Sequence, residues 1–323
     1  MNLAEARSRR IEDGMFVVYK PQGMVSKDVS RYIEKRMGFK PKLGHVGTLD
    51  PLAEGVLPIL FGKATKLQDY LIELEKEYEF DIKFGVLTTT LDTEGEFVDS
   101  FPCDQVSEEN ILLALDQFKG ELNQVPPIYS AVKYKGVPLY KYAREGRDKD
   151  VPLEQLAKKV TISHLELIRF VDNVATLRVR CSKGTYVRSL ADSISQAMGT
   201  RGIVSRLVRL AAAGVDIEAT NKLDGIEDCD DINESIIPIG SLNLPIPKWK
   251  TTSDFILAKL KLGQKVKLDL HVFETGLTGG LSELMFGTNQ VLILDEQSKA
   301  FGLGQTYTTN EARVVLSMRR LLL

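Results

Sequence analysis

The chain has 323 residues, 43% of them hydrophobic and 27% charged, with 42 Lys and Arg against 44 Asp and Glu for a formal net charge of −2. That is ample material for one large core or two, and a near-neutral total excludes a protein-wide positive field as the means of attracting a polyanion. No apolar run approaches the roughly 18 residues of a membrane span, and Arg7, Arg9 and Arg10 lead into no apolar stretch of an export signal, so a soluble, cytoplasmic protein is expected.

In chain order, residues 15–19 (Met-Phe-Val-Val-Tyr) read as a strand stopped by Pro21 and Gly23. Ser26 offers an N-cap, with Asp28 in the first turn, for a helix that ends at Gly38. Residues 77–84 alternate, which places Tyr78, Phe80, Ile82 and Phe84 on one face of a strand. Ser107, Glu108 and Glu109 open a second helix whose apolar members Ile111, Leu112, Leu115 and Phe118 recur at helical spacing until Gly120. Residues 160–171 and 174–181 flank Asp172-Asn173, a two-residue hairpin turn. The basic loop after Cys181 precedes a third helix that carries Val187, Leu190, Ala191 and Ile194.

Near residue 245 the character changes. Pro245 and Pro247 favour an extended connector that cannot continue a helix, and we expect a domain boundary there, separating 1–244 from 245–323. Beyond it, 265–270, 290–295 and 299–304 are short apolar runs bounded by turn residues, expected as a small β-rich domain. Helices and strands alternate irregularly with hairpins among them, so the expected class is α+β around a mixed, largely antiparallel sheet.

Charge is spread unevenly. Residues 178–209 hold seven basic side chains and one acid, Asp192, while 133–149 hold six basic side chains against Glu145 and Asp148. Residues 216–234 reverse this, with eight acids against Lys222. Basic blocks become a nucleic-acid footprint only if they converge on one surface; otherwise they are solvated faces. Cys103, Cys181 and Cys229 are too widely spaced for a CxxC site, and His45, His164 and His271 stand at no ligand spacing, so no metal is expected. Residues 55–63 lack the spacing of a P-loop, and Gly302-Leu-Gly304 has no third glycine for a dinucleotide.

Two loops could carry chemistry. In Gly44-His-Val-Gly-Thr-Leu-Asp-Pro-Leu-Ala-Glu-Gly55, Pro51 pushes Asp50 out of the α region and holds its carboxylate on a loop of restricted freedom; a plain turn begun by Asp-Pro is the competing account. In Cys181-Ser-Lys-Gly-Thr-Tyr-Val-Arg188, Arg188 falls in the first helical turn, where the macrodipole disfavours a cation unless an anion is nearby. A surface arginine lying over the core is the alternative there.

Together with Tyr19-Lys-Pro-Gln-Gly-Met-Val-Ser26, Lys76-Glu-Tyr78, Thr90-Leu-Asp-Thr-Glu-Gly95 and Gln124-Val-Pro-Pro-Ile-Tyr-Ser-Ala-Val-Lys-Tyr-Lys-Gly136, these loops resemble the TruB family of tRNA pseudouridine synthases in content, order and spacing over about residues 10–215. The resemblance implies isomerisation of a T-loop uridine at tRNA position fifty-five, with no cofactor. It makes Asp50 the catalytic carboxylate, adding to the sugar, adding to the base or removing the C2′ proton. It pairs Arg188 with Asp50, stacks Tyr78 on the flipped base, walls the pocket with Leu207, and gives His45 a part in the flipped arrangement. Lys183 and Tyr186, on the same loop as Arg188, are expected to bind substrate. The two basic blocks are expected to supply phosphate contacts, the 245–323 segment looks like a PUA-type domain, and a monomer is expected. An RNA-binding module without catalysis, a guide-dependent synthase and an N-glycosidase built on the same carboxylate are the other readings.

Overall fold

The structure, a computed structural model, describes residues 10–278, 290–309 and 313–322. Its first twelve strands are β1 (Gly14–Lys20), β2 (Leu43–His45), β3 (Glu54–Phe61), β4 (Lys76–Phe84), β5 (Val86–Thr88), β6 (Phe97–Ser100), β7 (Gly120–Gln124), β8 (Lys133–Tyr134), β9 (Val137–Pro138), β10 (Lys158–Val171), β11 (Val174–Cys181) and β12 (Gly202–Ala212). The main sheet runs β1-β3-β12-β4-β11-β10-β7, with β2 on β3 and Asn221–Lys222 beyond β1. Its pairs are antiparallel except β3 with β12 and β1 with Asn221–Lys222, so it is mixed and largely antiparallel as expected. β5–β6 and β8–β9 pair separately.

The two strand patterns have one cause. β1 and β3 are apolar on both faces because both are covered: Phe16, Val18, Leu57 and Ile59 join the core under the helices, whereas Met15, Val17, Val56 and Leu60 join a second core shared with the C-terminal sheet. β4 alternates because only one of its faces is covered. Tyr78, Phe80, Ile82 and Phe84 are buried in the first core. On the other face Glu77, Glu79 and Asp81 pair across the sheet with Arg180, Arg178 and Arg206.

Local signals held with two differences. The first helix, Ser26–Met37, stops at Gly38 in the left-handed region at φ 68°, but Ser26 does not cap it. Its hydroxyl instead accepts from the Leu49 N–H at 2.8 Å and donates to the Leu49 carbonyl at 3.1 Å. In the helix Glu108–Leu115, capped by Ser107, Ile111 and Leu115 are buried but Leu112 faces solvent, because the covered stripe runs through Ile111, Ala114 and Leu115 and Leu112 lies beside it. The Asp172-Asn173 turn has φ of 51° and 59°, the positive pair of a type I′ hairpin.

A second sheet, six-stranded among the described residues, follows the order Val266–Asp269, Arg313–Leu321, Ala300–Thr308, Gln290–Leu294, Lys248–Lys250, Leu277–Thr278. The proline stretch leading into it is packed: Leu242, Leu244 and Ile246 are buried with Leu292, Leu294 and Leu303 against Val17 and Leu60. Among the described residues no helix is long and apolar enough to cross a membrane.

Candidate active site

The loop between β2 and β3 carries Asp50, and its conformation is held from several sides. Gly23 N–H donates to the Pro51 carbonyl at 2.8 Å, Ser26 bonds Leu49 both ways, and Lys20, fully buried at the end of β1, donates from Nζ to the Pro21 carbonyl at 2.9 Å and the Met24 carbonyl at 2.5 Å. Asp50 itself stays half-exposed. Its Oδ2 lies 2.8 Å from Nη2 of Arg188, whose side chain is only 5% exposed.

Arg188 stands in the first turn of the helix Val187–Ala197, as the spacing predicts. It also donates from Nη1 to the Thr90 carbonyl at 2.8 Å and from Nη2 to the Tyr129 carbonyl at 3.1 Å. A second carboxylate, Asp92, lies with Oδ2 3.7 Å from Nε. Asp92 is buried, and its Oδ1 accepts from the Thr90 hydroxyl and from the Glu94 N–H. A buried guanidinium is costly unless its charge and donors are met; here two carboxylates meet the charge, and Asp50 and two carbonyls meet the Nη donors, while the buried Nε has no hydrogen-bond partner among the described residues. Glu94 sits close by, and its carboxyl is held above its ordinary range by burial first, then by Asp92 and Asp50.

Tyr78 is buried on the inner face of β4, directly across from Arg209 on β12, and Leu207 faces Phe80 one step along the same pair. Burial pushes the Tyr78 phenol up, and the Arg209 guanidinium, hydrogen-bonded to it, pulls the other way. Arg209 is itself fully buried and donates from Nε to the Val56 carbonyl at 2.7 Å and from Nη2 to the Gly47 carbonyl at 2.9 Å. Lys76, also buried, donates to the Ile72 and Leu74 carbonyls. Both Lys20 and Lys76 are pushed down to about 8, by burial first.

His45 ends β2 opposite Ile59, and its carbonyl accepts from Gln68 Nε2 at 3.2 Å. Burial, then Arg209, holds its imidazole below the ordinary 6.5, and its buried Nδ1 has no hydrogen-bond partner among the described residues. Tyr186 is tied by its backbone to the Gln124 side chain at 2.7 and 3.1 Å. Its phenol is raised by burial and lies in the field of Asp50. Lys183 is on the rim, exposed and paired with Glu73, with no bond to Asp50 or Arg188. The structure thus sets Arg188 against Asp50, with Tyr78 and Tyr186 in the field of that carboxylate, Leu207 two residues from Arg209 on β12 and His45 in the field of Arg209, and it leaves Lys183 on the exposed rim.

The sequence misses three of the buried groups: Lys20, Asp92 and Arg209. A signal existed for two of them, since Lys20 and Arg209 fall at inward-facing positions of their strands, in phase with Val18 and Leu207. In the 178–209 block, the structure pairs or encloses every basic side chain. Arg178, Arg180 and Arg206 pair with acids of β4, Lys183 with Glu73, Arg201 with Asp192, Arg188 with Asp50 and Asp92, and Arg209 is enclosed. The reason is register: the basic residues of β11 and β12 stand opposite the acids of β4, which a count along one segment cannot see. A cavity of about 460 Å³ over this outer face is lined by Glu77, His164, Arg178 and Arg180, not by Asp50. In the 133–149 block Arg147 pairs with Glu145 and Asp150, while Lys133, Lys135, Lys141, Arg144 and Lys149 are exposed.

Residues 34–187 match the model of the TruB family pseudouridylate synthase N-terminal domain. The tRNA pseudouridine synthase B of Caldanaerobacter subterraneus subsp. tengcongensis is 46% identical over 217 residues, which is 67% of this chain and 74% of that protein. The tRNA pseudouridine synthase B of Pasteurella multocida is 37% identical over 306 residues, covering 92% of this chain and 96% of that protein. In fold, a chain of the crystal structure of a Cbf5-Nop10-Gar1 complex superposes with a TM-score of 0.69 at 23% identity, over 98% of this chain and 87% of that one. On these matches the chain belongs to the TruB family of pseudouridylate synthases.

Proposed function

We propose that this protein converts uridine to pseudouridine in tRNA, at the T-loop position fifty-five, with Asp50 as the catalytic carboxylate. The observation that carries this reading is the half-exposed Asp50 carboxylate bonded at 2.8 Å to a nearly buried Arg188. An ionised carboxylate held open to an incoming base is what each route needs: addition to the sugar, addition to the base, or removal of the C2′ proton. The N1–C1′ bond breaks, the base turns, C5 joins C1′ and gives up its proton, and N1 takes a proton up, so atoms balance without a redox partner or group donor.

A uridine within a folded loop must first leave its stack, at a cost of a few kcal/mol, and an aromatic face returns roughly 1–3 kcal/mol per stacked base. Tyr78 and Tyr186 offer that face, Leu207 the apolar wall and His45 the edge of the pocket, while Lys183 reaches substrate from the rim. Phosphate contacts cover the remainder, and the exposed Lys133, Lys135, Lys141 and Arg144 are the side chains to make them. In this reading 1–244 is the catalytic unit, 245–323 a PUA-like unit, the working form a monomer and the compartment the cytoplasm.

Tritium release from 5-tritiated uridine in an unmodified tRNA transcript, with no guide RNA added, tests the proposal. Asp50→Asn should lose at least about three orders of magnitude in rate with tRNA binding retained. Free uracil in the products would point instead to an N-glycosidase, and binding without release to an RNA-binding module.

A further inference from the structure

Arg209 has a place in the fold that packing does not explain. It is fully buried at the middle of β12 and forms no ion pair with a carboxylate among the described residues, so the core there encloses an uncompensated cation. A methionine would fill the volume without that cost. What the guanidinium does touch is informative. Nη2 bonds the Gly47 carbonyl, three residues before Asp50, and Nε bonds the Val56 carbonyl just after the loop closes. Arg209 is the parallel neighbour of Gly55 and the antiparallel neighbour of Tyr78, whose hydroxyl it bonds.

The glycines at the two ends of the loop fit this one residue. Gly47 has φ +76°, and a Cβ there would stand 3.2 Å from Nη1 of Arg209. Gly55 has φ +103°, and a Cβ there would collide with the Arg209 carbonyl oxygen. Gly47 thus meets the Arg209 side chain and Gly55 its backbone, and the side chain's own bonds to the Gly47 and Val56 carbonyls and to the Tyr78 phenol refer both ends of the loop and the ring to one buried guanidinium.

We propose that Arg209 is a positioning residue for the isomerisation: it sets where the Asp50 carboxylate lies relative to the Tyr78 ring by holding the loop at Gly47 and Val56 and the phenol between them. This rests on the reading of Asp50 as the catalytic carboxylate. It acts on geometry at the reacting atoms and not on tRNA affinity, because Arg209 reaches no solvent.

The test is single-turnover tritium release with tRNA dissociation constants and thermal unfolding measured on the same full-length samples. Arg209→Lys keeps the charge but cannot bond two carbonyls and the phenol together. Its rate constant should fall by about 100-fold, the effect expected of a misplacement near 1 Å, with the dissociation constant within about threefold of the parent. In a Tyr78→Phe background the same change should cost less, because one of its targets is gone. If Arg209→Lys fails to fold, Gly47→Ala carries the test with Arg209 retained, and the same split is expected. A folded Arg209→Lys or Gly47→Ala that turns over at the parental rate constant, or that loses only tRNA affinity, overturns the proposal. Asp50→Asn run alongside separates the two readings: turnover by it sinks the role of Asp50, whereas its silence beside parental rates in the other two overturns only the role of Arg209.

Discussion

Arg188 is the residue on which the site's electrostatics turn. Its guanidinium is shared between a half-exposed carboxylate and a buried one, so removing it strands Asp92 among the Thr90 hydroxyl and the Glu94 N–H with no counter-charge. Arg188→Ala should therefore destabilise the fold by about 3–5 kcal/mol, as loss of one partner of a buried pair does, in addition to abolishing turnover; a urea titration reads the first and tritium release the second. A loss under about 1 kcal/mol would mean that Arg188 does not stabilise the fold through Asp92. Lys20 and Lys76 make a second, opposite statement. Each is pushed down from 10.5 to about 8 in the folded protein, so between pH 8 and 10.5 the unfolded chain binds more protons and their contribution to stability rises with pH. Cys181, pushed up to about 11 from 9.0, and Tyr19, pushed up to about 12 from 10.0, act the other way, but only above pH 9. The urea midpoint should therefore rise from pH 8 to 9, and the rise should be smaller in a Lys20→Met/Lys76→Met variant.

At the level of elements, the site is made where β3, β12 and β4 run side by side and the Asp50 loop closes over their ends. The close approach of β12 to β3 admits no side chain at Gly55. Gly55→Ala should thus shift backbone and not merely a rotamer, costing on the order of 3 kcal/mol, with activity lost even in the fraction that folds. Differential scanning calorimetry beside a single-turnover assay checks both parts, and a parental thermal midpoint would refute the packing. By contrast, the charge ladder of Glu79 with Arg178 and Arg206 lies on an open face, where such pairs contribute about 1 kcal/mol or less. The elements were legible in the sequence where one physical cause dominated. The alternation of β4, the glycine stop after Met37 and the Asp172-Asn173 turn were all readable for that reason. Ser26 was misread as a cap because its hydroxyl finds a better partner in Leu49, across the fold and 23 residues away in the chain.

On the scale of the whole molecule, the two sheets share a core, and the segment 128–156 stands apart with its own small one, built on Leu139, Tyr142 and Val151. That segment is joined to the site through the Tyr129 carbonyl, which meets Arg188, and just before it Gln124 at the end of β7 clasps Tyr186. Its exposed Lys133, Lys135, Lys141 and Arg144 are four of the open cations of a basic block, so replacing all four with alanine should raise the tRNA dissociation constant by at least about tenfold. The slope of log K against log salt should drop by roughly 0.7–0.9 for each phosphate that is no longer neutralised. The single-turnover rate constant at saturating tRNA should stay as in the parent, and an unchanged salt slope would exclude these side chains from binding the RNA backbone. The sequence by itself determined the family, the class of fold, the strand faces and the pair Asp50 and Arg188, because each is written in local spacing or in motifs that recur in order. Only the tertiary structure decided which basic residues are open and which are neutralised, and it alone revealed Lys20, Asp92 and Arg209 beneath the loop. Those facts depend on register between strands far apart in the chain, and a charge has no fixed meaning until its neighbours across the sheet are known.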